Sequence, residues 1–164
     1  MQMSIMQTPW CKFVPNANLR GEGINMTEIP HELILAYTTS NFTVLEPHSF
    51  TLRIGQHSAE LQSLYVEHGV QCAGYLTAWN PFSKQTSKLD NDKVQRQLLE
   101  QLSIEGFSVL KALGIDPSGD WPGQESVMFL GLSRERAKLL GSEFGKNAIV
   151  WAGPHAVPQC VQLR

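Results

Sequence analysis

Apolar and polar positions along the chain change period several times, and each change marks an element. From Pro30, a residue suited to a first helical turn, Leu33, Ile34 and Tyr37 fall on one helical face. Residues 42–45 read as a short strand, Glu46-Pro47-His48 as a turn and 50–54 as the returning strand. Phe50, Leu52 and Ile54 alternate there with Thr51 and Arg53, the mark of a half-buried strand. Ser58 can cap a helix by accepting a hydrogen bond from a free backbone N–H. Leu61, Leu64, Tyr65 and His68 follow at helical spacing, and Gly69 closes the helix. Residues 70–79 form the next strand and 84–89 a loop. Asp90 or Asn91 is expected to cap a helix to about Glu105, with Val94, Leu98, Leu99 and Leu102 as its buried stripe. Residues 107–113 and 126–130 are strands around a loop, 114–123, dense in Gly, Pro and Asp. Ser133 caps a helix through Glu143, which Gly145 ends. Residues 148–151 are expected as the last core strand, before a Pro-punctuated tail.

The resulting order, α-β-β-α-β-α-β-β-α-β, predicts an α/β fold, with α+β as the alternative. It takes the form of a single domain built on a mixed β-sheet with α-helical crossovers. The pairs 42–45/50–54 and 107–113/126–130 are the expected antiparallel hairpins. Residues 1–28, with Pro9, Pro15, Gly21 and Gly23 and no hydrophobic period, read as an irregular N-terminal extension; 29–164 is the domain.

Composition narrows the function classes. The chain has 164 residues, enough to bury a core without staples, and 42% are hydrophobic. The formal net charge of −2 gives no basic field, which argues against a nucleic-acid partner. Cys11, Cys72 and Cys160 lie far apart, with no C-x-x-C pair and no Cys/His spacing of a zinc site, so no metal is expected. No apolar run approaches the roughly 20 residues that span a bilayer, and no membrane partner is expected. No secretion signal opens the chain, and the setting is read as reducing and cytoplasmic.

The candidate chemistry collects at three places. At Thr77-Ala78-Trp79-Asn80-Pro81-Phe82-Ser83 an apolar strand ends at an Asn-Pro step and a polar loop follows. A strand's C-terminal end is where α/β proteins tend to bind ligands. Pro81 disfavours helical backbone at Asn80, which is therefore expected extended, its amide free. Thr77, Asn80, Ser83 and Asn91 are the neutral polar candidates for holding a ligand. At Trp121-Pro122-Gly123-Gln124-Glu125-Ser126 a carboxylate stands at the mouth of an apolar strand. Such a charge is paired, exposed or pocketed; pocketed, Glu125 suits a general acid or base. Trp121 would wall the site and Ser126 would line it. At Phe144-Gly145-Lys146-Asn147 a helix end leads into a strand. There Lys146, with Arg96 elsewhere, offers positive charge to a phosphate or carboxylate, and Asn147 adds an amide. A lysine near a helix C-terminus also simply complements the dipole. Nothing matches a serine-hydrolase elbow, a P-loop or G-x-G-x-x-G.

Together these stretches resemble a bacterial family catalogued as domain of unknown function 3293. The resemblance rests on 77–83, Asn91 opening a helix, Trp121-Pro122 with Glu125-Ser126, 144–148, and Phe50-Thr51-Leu52-Arg53-Ile54-Gly55, over residues 30–160. It implies a bacterial cytoplasmic protein and brings no activity or cofactor. The family often has Gln in place of Lys146 and an acidic residue in place of Gln124. The resemblance therefore supports neither an essential cation nor a paired-carboxylate mechanism. The residues themselves point first to a small-molecule site, for a nucleotide-like or phosphorylated ligand, or to a general acid/base enzyme. The alternative is a non-catalytic protein-interaction or ligand-sensing module. No oligomeric state follows from the sequence.

Overall fold

Antiparallel pairing organises the whole sheet. The computed structural model describes residues 40–81, 86–115 and 123–163. The expected extension 1–28, the helix from Pro30, Cys11, Ser83 and Trp121 lie outside the described residues. Among the described residues seven strands, β1 (Asn41–Val44), β2 (Phe50–Leu52), β3 (Ala73–Leu76), β4 (Ser108–Ile115), β5 (Gln124–Leu130), β6 (Ala148–Ala152) and β7 (Pro158–Gln162), form one sheet in the order β2-β1-β4-β5-β3-β6-β7. The described helices are α1 (Ala59–His68), α2 (Lys88–Ile104) and α3 (Arg134–Glu143).

All six ladders are antiparallel, where a mixed sheet was expected. The reason lies in the connections. Helix α2 joins β3 to β4, and α3 joins β5 to β6; each pair runs the same way but skips the strand between. The helical crossovers are therefore present, and the fold is the α+β arrangement. Both expected hairpins form, with Thr43 opposite Thr51 and Leu110 opposite Met128.

The sheet is apolar on both faces. One face carries Phe42, Val44, Tyr75, Met128 and Val150 against Leu61, Leu64 and Tyr65 of α1. The other carries Leu76, Val127, Phe129 and Ile149 against Leu98 and Leu102 of α2 and Ala137 and Leu140 of α3. Burying each such side chain contributes about 1.5–3 kcal/mol, so these two layers set the stability.

Caps fix the helix ends. Ser58 and Ser133 cap α1 and α3 as expected, their hydroxyls accepting from Leu61 N and Arg136 N. Helix α2 starts earlier than expected: Ser87 is its cap, accepting from Asp90 N, and Asn91 lies inside the first turn. Its buried stripe is Asn91, Gln95, Leu98 and Leu102, while Leu99 is 37% exposed. Strand β3 spans only Ala73–Leu76 of the expected 70–79, because the chain leaves the sheet after Leu76. The tail after Ala152 adds an unexpected strand, β7, paired with β6. Its Pro158 occupies an edge position, where a missing N–H is tolerated.

Candidate functional site

Antiparallel geometry brings the three candidate stretches to one end of the sheet. Tyr75 pairs with Val150 and Leu76 with Val127, so the C-terminal end of β3 lies beside the N-terminal ends of β5 and β6. Residues 77–80, Gln124-Glu125 and Lys146-Asn147 all border that end.

Past Leu76 the backbone loses its ladder partners, and side chains replace them. The Ala78 N–H donates to Gln95 Oε1 at 2.9 Å, and the Trp79 N–H to Thr77 Oγ1 at 3.2 Å. The Asn80 N–H donates to Asn91 Oδ1 at 2.8 Å. The Thr77 hydroxyl donates to the Glu125 carbonyl at 2.7 Å, tying the strand exit to β5. Asn80 Oδ1 accepts from Asn91 Nδ2 at 3.0 Å and from Thr86 N at 3.1 Å. Asn80 is not extended. It has φ of 51°, a left-handed conformation that asparagine tolerates better than most residues. Turned this way, its amide is engaged by α2 and by Thr86.

Lys146 closes the clasp from the other side. Gly145, at φ 67°, ends α3 in a Schellman turn: Lys146 N donates to Gly141 O and Gly145 N to Ser142 O. That turn directs the residue after the glycine back onto the helix, a place usually taken by an apolar side chain. Here it is Lys146, only 2% exposed, whose ammonium donates to the Trp79 carbonyl. The lysine therefore reaches the β3 exit instead of complementing the helix dipole in solvent. Asn80, Asn91 and Gln95 are buried as well, so three buried polar side chains, Gln95, Lys146 and Asn91, meet the backbone of residues 78–80, and the Asn80 amide bonds Asn91 in turn.

The remaining candidates are placed differently. Ser126 is buried on the opposite face, in line with Met128, and its hydroxyl donates to Gln124 O at 3.1 Å. Asn147 is half-buried, its carbonyl accepting from Leu163 N. Arg96 is exposed and takes no part in the clasp's hydrogen bonds. Glu125 is exposed too, within electrostatic reach of Lys88 at the start of α2. The Tyr75 phenol is pushed upward by burial. Burial also raises the Cys72 thiol, which donates to Leu132 O, and pushes Cys160 up to about 12. Burial thus favours the protonated form of both thiols near neutrality.

A groove of about 410 Å³ opens beside the clasp, between α2 and the end of α3. Val94, Gln97 and Gln101 line it from α2, and Glu143, Phe144 and Gly145 from α3. Pro81 completes it. The Asn80–Pro81 and Gly145–Lys146 peptide bonds thus join groove and clasp directly. Gln95, Gln97, Gln101 and Glu143 carry no signal in an apolar pattern, and Val94 reads there as core. The polar pair Asn91 and Gln95, at i and i+4 in an otherwise apolar stripe, was the available one. Among the described residues no group of three or more His, Cys, Asp or Glu side chains is placed to hold a metal ion. No described helix is long and apolar enough to cross a membrane.

The fold and site are those of an antiparallel α+β protein with a buried polar clasp beside an open groove. Residues 76–149 match the model of a family described as "Protein of unknown function (DUF3293)", which bears out the resemblance over that span. The matched span runs from the last residue of β3 into β6, so it contains the clasp and the groove. No curated protein and no solved structure matches the chain.

Proposed function

We propose that this protein binds a small molecule in the groove beside the β3 exit, in the cytoplasm of a bacterium. The observation that carries the reading is the convergence of buried Asn91, Gln95 and Lys146 on residues 78–80, with the buried Asn80 amide bonded to Asn91. Buried polar groups cost stability unless each is matched. A sequence that gathers them at one strand end, next to a groove of ligand size, is holding that end rigid for a purpose beyond folding. The clasp fixes Pro81 and Gly145, the two groove residues bonded to it, and so preforms the groove.

The nucleotide-like ligand class draws support from the apolar groove residues Phe144, Val94 and Pro81, which suit a flat ring. A catalytic version would use Glu125 as acid or base, and its exposed position favours binding without chemistry. The test is a thermal-shift screen of the full chain against nucleosides, nucleotides and common metabolites. A ligand at a hundred times its Kd stabilises by about 2.7 kcal/mol. A hit that Gln97→Trp, an exposed groove position, abolishes without unfolding the protein supports the reading. A hit that this variant binds unchanged places the ligand elsewhere.

A further inference from the structure

The groove's hydrogen-bonding groups are unbalanced, and the imbalance selects a ligand class. This inference rests on the binding reading above. Gln101 Nε2 donates to Glu143 Oε2 at 2.9 Å and to Glu105 Oε1 at 3.3 Å, which leaves its Oε1 as the group available to a ligand. The Glu143 carboxylate accepts from Gln101 and, at 3.3 Å, from Arg136 Nη1. A carboxylate has about four lone-pair sites, so acceptor capacity remains, and the side chain is 47% exposed. Gln97 is exposed and its amide is uncommitted. Of the described side chains lining the groove, Glu143 is the charged one. Arg136 is shared between Glu105 and Glu143, so these three side chains together carry one positive against two negative charges, a net of −1. The Lys146 ammonium lies behind the groove, directed at the Trp79 carbonyl. The walls are apolar: Val94, Phe144 and Pro81.

We infer that the groove takes a flat ring bearing amino or amidine hydrogen-bond donors, the ring packing against Phe144 and its donors facing Glu143 and the Gln101 carbonyl. The ligand is donor-rich and neutral or cationic. Phosphate or carboxylate groups meet acceptors there and are disfavoured; in a nucleotide-like ligand, the base end and not the phosphate end enters.

The test is amide NMR titration of the full chain with two probes of matched shape, benzamidine and benzoate. Benzamidine is expected to shift the backbone amides of Gln97, Gln101, Phe144 and Gly145, and benzoate to leave them in place. Glu143→Gln is expected to weaken benzamidine at least fivefold. Gln97→Leu, which leaves the Arg136 network intact, is expected to weaken it about twofold or more. Benzoate shifting those amides as strongly as benzamidine overturns the inference while leaving a small-molecule groove. Benzamidine binding unaffected by both variants also overturns it. If neither probe, nor any screened metabolite, shifts the groove amides, the binding reading fails with it.

Discussion

Asn91→Ala removes three hydrogen bonds at one point: the acceptor of the Asn80 N–H, the donor to Asn80 Oδ1 and the donor to the Thr86 carbonyl. Asn80 is 8% exposed and Asn91 3%, so the Asn80 N–H has little access to water once its acceptor is gone. Leaving a buried donor unmatched costs about 1–3 kcal/mol, and each further neutral bond contributes about 0.5–1.5 kcal/mol. Partial relaxation of the left-handed turn offsets some of that, and the expected loss is about 2–4 kcal/mol. At 2–4 °C for each kcal/mol in a domain of this size, the melting point should fall by roughly 4–16 °C. Urea unfolding of the full chain measures the loss directly, provided the slope with denaturant stays at the wild-type value. Asn80→Gly is the partner variant, since glycine accepts the positive φ while deleting the amide. If the clasp works as a unit, the double variant loses at least about 1 kcal/mol less than the two singles together. A loss below about 0.5 kcal/mol for Asn91→Ala is the level of an ordinary surface change and would refute the clasp. Strict additivity of the two variants would do the same.

Two further outcomes follow from packing and charge. A Cβ added at Gly74 would lie 2.0 Å from Phe129 Cε2, inside a ring that is fully buried, so Gly74→Ala should cost about 1–3 kcal/mol in denaturant unfolding. Phe129→Leu in the same background should recover part of that loss. Arg136 bridges α2 and α3 through Glu105 and Glu143, and Arg136→Gln should cost about 0.5–1 kcal/mol at low salt and less in 1 M salt. Arg136 also holds the Glu105 carboxyl below its ordinary value of 4.5, chiefly by hydrogen bonding. A depressed carboxyl adds stability above pH 4.5 that fades as pH falls through its folded value, so Arg136→Gln should flatten that acid-side decline. An unchanged pH profile in the variant contradicts this assignment.

Most of the fold was legible because its elements obey simple periods. Ser58 and Ser133 cap where hydroxyls precede apolar repeats; the first hairpin follows from alternation after a short turn and the second from two apolar runs around a loop rich in Gly, Pro and Asp. Strand direction was not legible, since a β-α-β run looks alike whether its strands are neighbours or enclose a third. Strand β7 escaped because Pro158 and Gln159 read as tail, and only pairing with β6 makes them a strand. The cap of α2 was misplaced because Asp90 and Asn91 are themselves capping residues, and Ser87 sat in what read as loop. At the site, the meeting of 77–80 with Lys146 was expected from strand ends, but its form was not. Pro81 disfavours right-handed backbone at Asn80, and the left-handed region, open to asparagine, satisfies both the proline and Asn91. Lys146 turned inward because the Schellman turn dictates direction regardless of residue type.

The most direct measurement is amide hydrogen exchange of the full chain with and without a stabilising ligand from the screen. Opening of the clasp exposes the N–H groups of Ala78, Trp79 and Asn80, each held by a side-chain acceptor. Ligand in the groove should slow exchange together at 78–80, bonded to Pro81, and at 144–146, the turn that follows α3. Slowing confined to α1 and β7, with 78–80 and 144–146 exchanging as before, would show that the polar clasp and the groove serve no ligand.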